Sequence, residues 1–353
     1  MKSLKVGMLG CGTVGSQIAR LLVANKADLT SRAGAQIELA KVAVKDAKVK
    51  RDGVPDNLIT TDANSIVNDP SIDLIIEVIG GISPAKELIL TALKNGKSVV
   101  TANKALLAKD GAELYEAASK ANVDLYYEAA VAGAIPILRP LRESLVGDQV
   151  LQIMGIVNGT TNYILTKMDE SGTAFADALK QAQDLGFAEA DPTADVEGFD
   201  AADKAAILAG LAFHSRVTDK DVYREGISKI TATDVKVAKA MEMVIKLLAI
   251  TELTAAGEIS VRVHPALISR NHPLASVRES YNAVFVEAKS AGQMMFYGRG
   301  AGGEPTASAV LGDLVAIARH KISGGIGPKE SDYASLKIAP IGQTKTKYLI
   351  RLN

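Results

Sequence analysis

Asp200 and Lys204 are the first residues in this sequence whose spacing suggests chemistry. They lie four positions apart at the start of an almost continuously apolar segment that runs to Phe213. A spacing of four places both side chains on one face of a helix, and the apolar surroundings predict that the pair is partly buried. A local ion pair in which Asp200 also caps the helix is the alternative. Because desolvated charge pairs concentrate at functional sites, we favour a functional role.

A second lysine, Lys104, follows the predicted strand Ser98 to Thr101. Ligands of open α/β sheets bind at the carboxyl edge of the strands, so a cation there could meet a carboxylate or a cofactor phosphate. A solvated lysine at the entry to a helix explains the same residues. None of the four histidines falls within the segments with candidate chemistry, and lysine is therefore the natural proton carrier.

Three further segments carry groups suited to small ligands. Glu128 ends the next predicted strand and runs into small residues up to Pro136, and a carboxylate with backbone carbonyls suits a hard cation. The turn Asn158 to Asn162 offers amides and hydroxyls, although a plain capping turn explains it equally well. A glycine loop from Gly298 to Thr306 could close over a cofactor or only turn a corner.

The segment Gly10-Cys11-Gly12-Thr13-Val14-Gly15 follows the predicted strand Lys5 to Leu9 and opens a predicted helix, Val14 to Ala24. In that setting one glycine makes a tight turn, one lets the backbone approach a pyrophosphate, and one lets helix and strand pack closely. The helix N-terminus faces the phosphate charge. An ordinary glycine-rich turn is the alternative, but the context favours a dinucleotide site.

The end of the second predicted strand bears on which dinucleotide is bound. An acidic side chain there favours NAD, and a basic one accommodates the 2′-phosphate of NADP. The strand ends at Val44 and is followed by Lys45 and Asp46, with further basic residues up to Arg51. A solvated lysine-rich turn is equally compatible, so the sequence favours NADP without excluding NAD.

Two patterns describe the elements that must position these groups. The first half alternates strands with helices, which predicts a Rossmann-type doubly wound parallel sheet, and the second half predicts an α+β domain. We expect a dinucleotide-binding domain over residues 1–135, to which 305–322 return, a catalytic and dimerisation domain over 136–304, and a tail over 323–353. Within the second domain, the pattern predicts a helix from Thr233 to Ile250.

Composition excludes several classes of protein. The 353 residues carry 40 basic and 40 acidic side chains, so no global field attracts nucleic acid or an anionic membrane. A single cysteine excludes an internal disulfide and fits the cytosol. The apolar run at the amino terminus is too short and too rich in glycine for a signal peptide. No apolar segment is long enough to span a membrane.

Together these segments resemble homoserine dehydrogenases over about the first 320 residues. The resemblance rests on the glycine loop, on Thr101-Ala102-Asn103-Lys104, on the turn Asn158 to Asn162, and on Gly186-Phe187-Ala188-Glu189-Ala190-Asp191-Pro192 followed by Asp200 and Lys204. It implies reversible reduction of L-aspartate 4-semialdehyde to L-homoserine with NAD(P)H, in a homodimer.

The resemblance also implies roles for single residues. Lys204 is the catalytic acid and base, Lys104 shares the proton work, and Glu189 and Asp200 bind the substrate. A monovalent cation, expected to be sodium, is held by Glu128 and the carbonyls of Val131, Gly133 and Ile135. The residues expected to bind the cofactor are Gly10, Gly12, Thr13, Val14, Gly15, Lys45, Lys104, Gly186, Gly302 and Gly303.

One departure from the family concerns the tail. Residues 346–353 resemble the opening strand of a regulatory ACT domain and then stop, which indicates either a truncated chain or a natural short form. We therefore expect no feedback control by threonine through such a domain.

Three other proteins compete for the same sequence features. A thioester-forming aspartate-semialdehyde dehydrogenase needs a nucleophilic cysteine, and Cys11 lies within the dinucleotide loop. A dihydrodipicolinate reductase leaves Glu189, Asp200 and Lys204 unexplained. A non-catalytic NAD(P)-binding sensor would keep the fold without the activity.

Overall fold

A computed structural model describes residues 2–51, 53–329, 335–347 and 349–350. The described residues fold around two six-stranded sheets. Among them, no helix is both long enough and apolar enough to cross a membrane.

The first sheet is entirely parallel, in the order β3-β2-β1-β4-β5-β6. Its strands are β1 (Ser3–Leu9), β2 (Gln36–Ala43), β3 (Ile59–Thr60), β4 (Leu74–Glu77), β5 (Ser98–Thr101) and β6 (Leu125–Tyr126). The helices that connect them are α1 (Thr13–Ala24), α2 (Lys26–Ala33), α3 (Ala63–Val67), α4 (Ala85–Lys94) and α5 (Lys104–Ala121).

This strand order confirms the predicted doubly wound fold. β4 and β5 are buried at every position, as expected of central parallel strands covered by helices on both faces. The direction of winding reverses between β1 and β4, which is where ligands bind in such sheets. The glycine loop begins at that point, directly after β1.

The second sheet is mixed, in the order β12-β11-β7-β9-β10-β8. Its strands are β7 (Val150–Ile156), β8 (Tyr223–Arg224), β9 (Met243–Leu253), β10 (Ile259–Ser269), β11 (Tyr281–Ala288) and β12 (Gly292–Arg299). The helices of this region are α6 (Gly159–Ser171), α7 (Phe175–Asp184), α8 (Thr193–Val196), α9 (Phe199–Ala212) and α10 (Ala232–Ala240).

The predicted helix from Thr233 to Ile250 is wrong in its second half. α10 ends at Ala240, Glu242 adopts a left-handed backbone with a φ of 57°, and the chain continues as β9. An apolar run of this kind fits a buried strand as well as a buried helix, so periodicity alone could not separate them.

The last helix, α11 (Gly303–Ser323), packs against α1 and joins the core beneath the first sheet. Gly303 lies so close to the first turn of α1 that a β-carbon on it would be 3.1 Å from the carbonyl oxygen of Thr13. The loop that precedes α11 is thereby held beside the glycine loop. Segments from both ends of the chain therefore lie next to each other.

The tail runs back along the second sheet. Ile338 pairs with Ile259 at the start of β10, and the backbone amide of Leu336 donates to the hydroxyl of Ser215. Of residues 346–353, which the sequence likened to the start of an ACT domain, Tyr348 and 351–353 lie outside the described residues. The described ones adopt no regular secondary structure.

Candidate active site

The glycine loop has the geometry of a phosphate-binding turn. Gly10 adopts a φ of 99°, and a β-carbon there would lie 2.7 Å from the carbonyl oxygen of Val78. A β-carbon on Gly15 would lie 2.5 Å from the carbonyl oxygen of Gly10, so these two glycines are needed for packing. Nothing lies within 4 Å of the corresponding position on Gly12. Gly12, which caps α1, is thus open to an approaching ligand.

A basic side chain that sequence reasoning did not single out lies on this loop. The guanidinium of Arg51 donates to the carbonyl oxygen of Cys11 at 3.2 Å and to that of Asp46 at 2.9 Å. Arg51 lines a cleft that also contains Gly12. Lys45, the residue predicted to bind the cofactor, is exposed. The run of basic residues after β2 indicated that one of them could reach the cofactor. Only the fold of residues 44–51 shows that this side chain is Arg51.

A buried hydrogen-bond network positions Lys104 at the carboxyl edge of the first sheet. The carboxylate of Glu77, at the end of β4, accepts the Thr101 hydroxyl at 2.6 Å, and that hydroxyl accepts the backbone amide of Asn103 at 3.0 Å. The side chain of Asn103 caps α5 by accepting the backbone amide of Leu106. Lys104 is the first residue of this anchored helix. The sequence analysis did not predict this role of Glu77. An acidic residue at the end of an apolar strand was a pattern that could have indicated it.

Asp200 lies between two lysines that come from different halves of the chain. Its Oδ2 is 2.6 Å from Nζ of Lys204, and its Oδ1 is 3.1 Å from Nζ of Lys104. The side chains of Asp200 and Lys204 are 12% and 10% exposed, which places the predicted pair at the mouth of the buried helix α9. Lys204 also donates to the carbonyl oxygen of Val157 at 2.6 Å.

The two lysines decide the charge of this cluster. Burial alone would raise the pKa of Asp200, but Lys204 and Lys104 outweigh it and hold the pKa well below its usual value. The charge of Asp200 in turn raises the pKa of Lys104. Burial and the charge of Asp200 raise the pKa of Asp203 to about 6. Lys104 therefore acts as a fixed positive charge and is a weaker proton donor than a free lysine.

Asn158 joins this cluster from the start of α6. Its Oδ1 caps α6 by accepting the backbone amide of Thr161 at 2.9 Å. Its Nδ2 donates to Asp200 at 2.9 Å and to Asp195 at 2.6 Å. Burial raises the pKa of Asp195. The turn is therefore both a helix cap and part of the carboxylate cluster, whereas the sequence left these two interpretations open.

Glu189 and Gly186 lie on an exposed segment between α7 and α8. Gly186 has a φ of 73° and no neighbour within 4 Å of its β-carbon position. Among the described residues, no hydrogen bond or ion pair joins the Glu189 side chain to Asp200 or Lys204. The structure thus brings Lys104, Asp200 and Lys204 together and leaves Glu189 outside their hydrogen-bond network.

Glu128 has a structural role that the sequence did not reveal. Its Oε1 accepts the backbone amides of Ile137 and Leu138 at 2.6 and 2.8 Å, and its Oε2 accepts that of Arg139 at 2.7 Å. Each carboxylate oxygen has two acceptor sites, so Oε2 retains capacity for a further ligand. A buried carboxylate beside a loop of backbone carbonyls remains suited to a cation.

Comparison with known proteins places this arrangement in a family. The profile of the homoserine dehydrogenase family matches residues 136–315, and that of the homoserine dehydrogenase NAD-binding domain matches residues 10–128. The chain belongs to the homoserine dehydrogenase family. It is accordingly an NAD(P)-dependent oxidoreductase that acts on a CH–OH group. Membership of this family supports homoserine dehydrogenase over the alternatives, a dihydrodipicolinate reductase and a non-catalytic sensor.

Relatives match along most of the chain. A homoserine dehydrogenase of Corynebacterium glutamicum is 56% identical over 97% of this chain and 78% of its own length. One from Mycobacterium tuberculosis is 54% identical over 100% of this chain and 80% of its own.

Solved structures share the fold. The crystal structure of a homoserine dehydrogenase from Thiobacillus denitrificans is 43% identical, with a TM-score of 0.92 over 96% of this chain and 80% of its own. A hyperthermophilic archaeal homoserine dehydrogenase in complex with NADPH is 27% identical, with a TM-score of 0.75 over 89% of this chain and 97% of its own.

Proposed function

We propose that the enzyme interconverts L-aspartate 4-semialdehyde and L-homoserine with Lys204 as the proton donor and acceptor. The observation that carries this proposal is the carboxylate of Asp200, which holds Lys104 and Lys204 in one partly buried cluster. Lys104 belongs to the carboxyl edge of the first sheet, where the cofactor binds in this fold. A substrate beside Lys204 is therefore within reach of a cofactor at that edge.

The residues of this chain divide the work of the reaction. The nicotinamide, when bound, supplies the hydride to the aldehyde carbon. The ammonium of Lys204 gives its proton to the aldehyde oxygen, which becomes the hydroxyl of homoserine, and the neutral amine takes a proton from solvent. Asp200 and the carbonyl of Val157 orient Lys204, and Lys104 supplies a positive charge next to the reacting oxygen.

Substrate binding requires the segment that carries Glu189. The substrate is an amino acid, and its ammonium needs a carboxylate partner. Asp200 is already shared by two lysines, and the family resemblance implies Glu189 as a carboxylate for the substrate. We propose that residues 186–192 fold over the bound substrate and bring Glu189 into the site, with Gly186 as the hinge.

We propose NADP as the preferred cofactor and Arg51 as the residue that binds its 2′-phosphate. Arg51 contacts the glycine loop, whereas Lys45 is exposed, so Arg51 replaces Lys45 as the main candidate. Arg51→Gln is expected to raise the KM for NADPH about tenfold and to change that for NADH far less, since one charge-assisted contact is lost. Lys45→Gln serves as the control.

Steady-state kinetics with both cofactors would measure the effect of Arg51→Gln. An equal loss with NADH and NADPH would assign Arg51 to the structure of the loop instead, because only NADPH carries the 2′-phosphate.

A monovalent cation, proposed to be sodium, fits the loop after Glu128. We propose as its ligands one oxygen of Glu128, which accepts a single backbone amide, and, as the family resemblance implies, the carbonyls of Val131, Gly133 and Ile135. Oxygen-only donors with a single negative charge suit a hard cation of low charge. Gly133 packs directly against the backbone of Gly300. A bound cation would therefore stabilise the contact between the loop after Glu128 and Gly300.

We propose a homodimer formed through the second sheet. Residues of β12 alternate between half-buried and exposed, and Met295 and Tyr297 are 38% and 54% exposed. An apolar strand surface of this kind is typical of an interface. Light scattering at micromolar concentration should give twice the 37.0 kDa of one chain, and a monomer would contradict the proposal.

The function is tested by following absorbance of the reduced nicotinamide with L-homoserine and each oxidised cofactor. Reduction that depends on homoserine supports the proposal. If the protein binds the cofactor but homoserine causes no reduction of it, the protein would instead be a non-catalytic NAD(P)-binding sensor.

A further inference from the structure

A lysine outside the active site is buried in the second domain. Lys246 lies on β9, and the residue is 2% exposed. Its ammonium donates to Oδ1 of Asn162 at 2.9 Å and to the carbonyl oxygen of Val277. An ammonium has three donors and no acceptor, and its burial is costly unless these donors are used. Such a group costs stability, and its contacts join β9 to α6 and to the segment before β11.

The surroundings of Lys246 act on its charge in both directions. Burial lowers the pKa of Lys246 to about 8, and the carboxylates of Asp169 and Glu170 oppose this effect while Arg278 and Arg270 add to it. The side chain is therefore mostly an ammonium at neutral pH. It acts as a donor that forces its partner to present an oxygen.

That partner, Asn162, connects α6 to the segment before β11. With Oδ1 directed at Lys246, its Nδ2 donates to the carbonyl oxygens of Glu279, Tyr281 and Val277 at 2.9, 3.1 and 3.3 Å. If the amide turned over, its oxygen would face these three carbonyls. Lys246 and these carbonyls thus select the same orientation of Asn162, and Lys246 is the donor that satisfies its oxygen.

The segment before β11 packs closely against the first turn of α6. A β-carbon on Gly159 would lie 2.7 Å from the carbonyl oxygen of Ser280, so the helix approaches as closely as a glycine allows. Asn162 follows Asn158 by one helical turn, and its backbone amide donates to the Asn158 carbonyl at 3.3 Å. Asn158 is the residue that donates to Asp200 and Asp195. A displacement of this turn would move Asn158 away from the catalytic cluster.

We propose that Lys246, acting through Asn162, is a positioning residue that holds the first turn of α6 so that Asn158 orients Asp200. It does not touch the substrate. Lys204 and Lys104 are oriented in turn by Asp200, so loss of Lys246 affects the amino-acid site and leaves the glycine loop unchanged. The proposal rests on the role proposed above for the Asp200 cluster.

The test compares Lys246→Met with Asn158→Ala in the 353-residue chain. Lys246→Met is expected to lower kcat/KM for homoserine about tenfold while the KM for the cofactor stays within about twofold, because a misplaced site loses substrate orientation. The double variant should lose no more than Asn158→Ala alone, since both changes act on one contact. Lys97→Met is the matched control, because Lys97 is 4% exposed and donates to the carbonyl oxygens of Asp69 and Ile72 in the first domain.

Each outcome has a definite meaning. If Lys246→Met lowers only the melting temperature, as expected for Lys97→Met, the proposal is wrong. Additive losses in the double variant would also overturn it. If Asn158→Ala itself leaves homoserine kinetics intact, the role proposed for the Asp200 cluster is wrong, and with it the premise of the role proposed for Lys246. Should Lys246→Met not fold, Asn162→Asp keeps the acceptor for Lys246 and removes the three donated bonds, and it must show the same loss in kcat/KM.

Discussion

The Lys204→Met variant is expected to lose about 10² to 10⁴ in kcat for homoserine oxidation while it still binds the nicotinamide cofactor. The reason is that Lys204 is the buried lysine of the Asp200 cluster that also contacts Val157, and Lys104 has its pKa raised by Asp200. Lys104 therefore stays protonated and replaces Lys204 poorly as the proton acceptor that homoserine oxidation needs. The measurement is steady-state absorbance of the reduced cofactor, with cofactor binding followed by its fluorescence.

Two controls separate proton transfer from charge. Lys204→Arg keeps a positive charge but holds its protons too tightly to exchange one at neutral pH, so it should be nearly as inactive as Lys204→Met. Lys180→Met removes a lysine from another pair at a spacing of four, with Asp184, whose side chains are 74% and 64% exposed, and should leave kcat unchanged. Near-normal turnover in Lys204→Arg would reduce the role of Lys204 to electrostatics.

The second large effect is expected at the glycine loop. Gly12→Val should weaken binding of NADPH about a hundredfold, close to 2.7 kcal/mol, with no loss of thermal stability. No atom lies within 4 Å of a β-carbon at Gly12, so the fold tolerates the side chain, but the space is where a pyrophosphate approaches α1. Fluorescence titration and thermal melting measure the two effects on the same sample.

The neighbouring glycines provide the contrast. Gly15→Val places its β-carbon 2.5 Å from the carbonyl oxygen of Gly10 and should destabilise the fold as well as weaken binding. Gly147→Val also meets open space but lies far along the chain from the loop, and it should change neither property. Unaltered NADPH binding in Gly12→Val would mean that the dinucleotide lies elsewhere.

Much of the first domain follows from local sequence because its signals are periodic and adjacent. The glycine loop, the strand before it and the helix after it are neighbours in the chain, so their geometry is a local property. The second domain is harder, since the buried strand β9 is apolar on both faces and resembles a helix by composition. The turn at Glu242, which ends the helical pattern, carries no glycine to mark it.

The candidate site divides in the same way. Asp200 and Lys204 share a helix face at a spacing of four, so the sequence alone determined that pair and its partial burial. The contact between Asp200 and Lys104 spans almost a hundred residues, and no local pattern encodes it. It exists because α5 and α9 pack together, which depends on the summed burial of both helices.

The sequence by itself determined the doubly wound domain, and it predicted the place of the dinucleotide and a lysine as the proton carrier, because the patterns behind each are local in the chain. Only the tertiary structure decided that Arg51 reaches the glycine loop, that Asn158 joins the carboxylates, and that three backbone amides occupy Glu128. These contacts join segments that are remote in sequence. They are set by how whole elements pack, and side-chain type alone does not specify that packing.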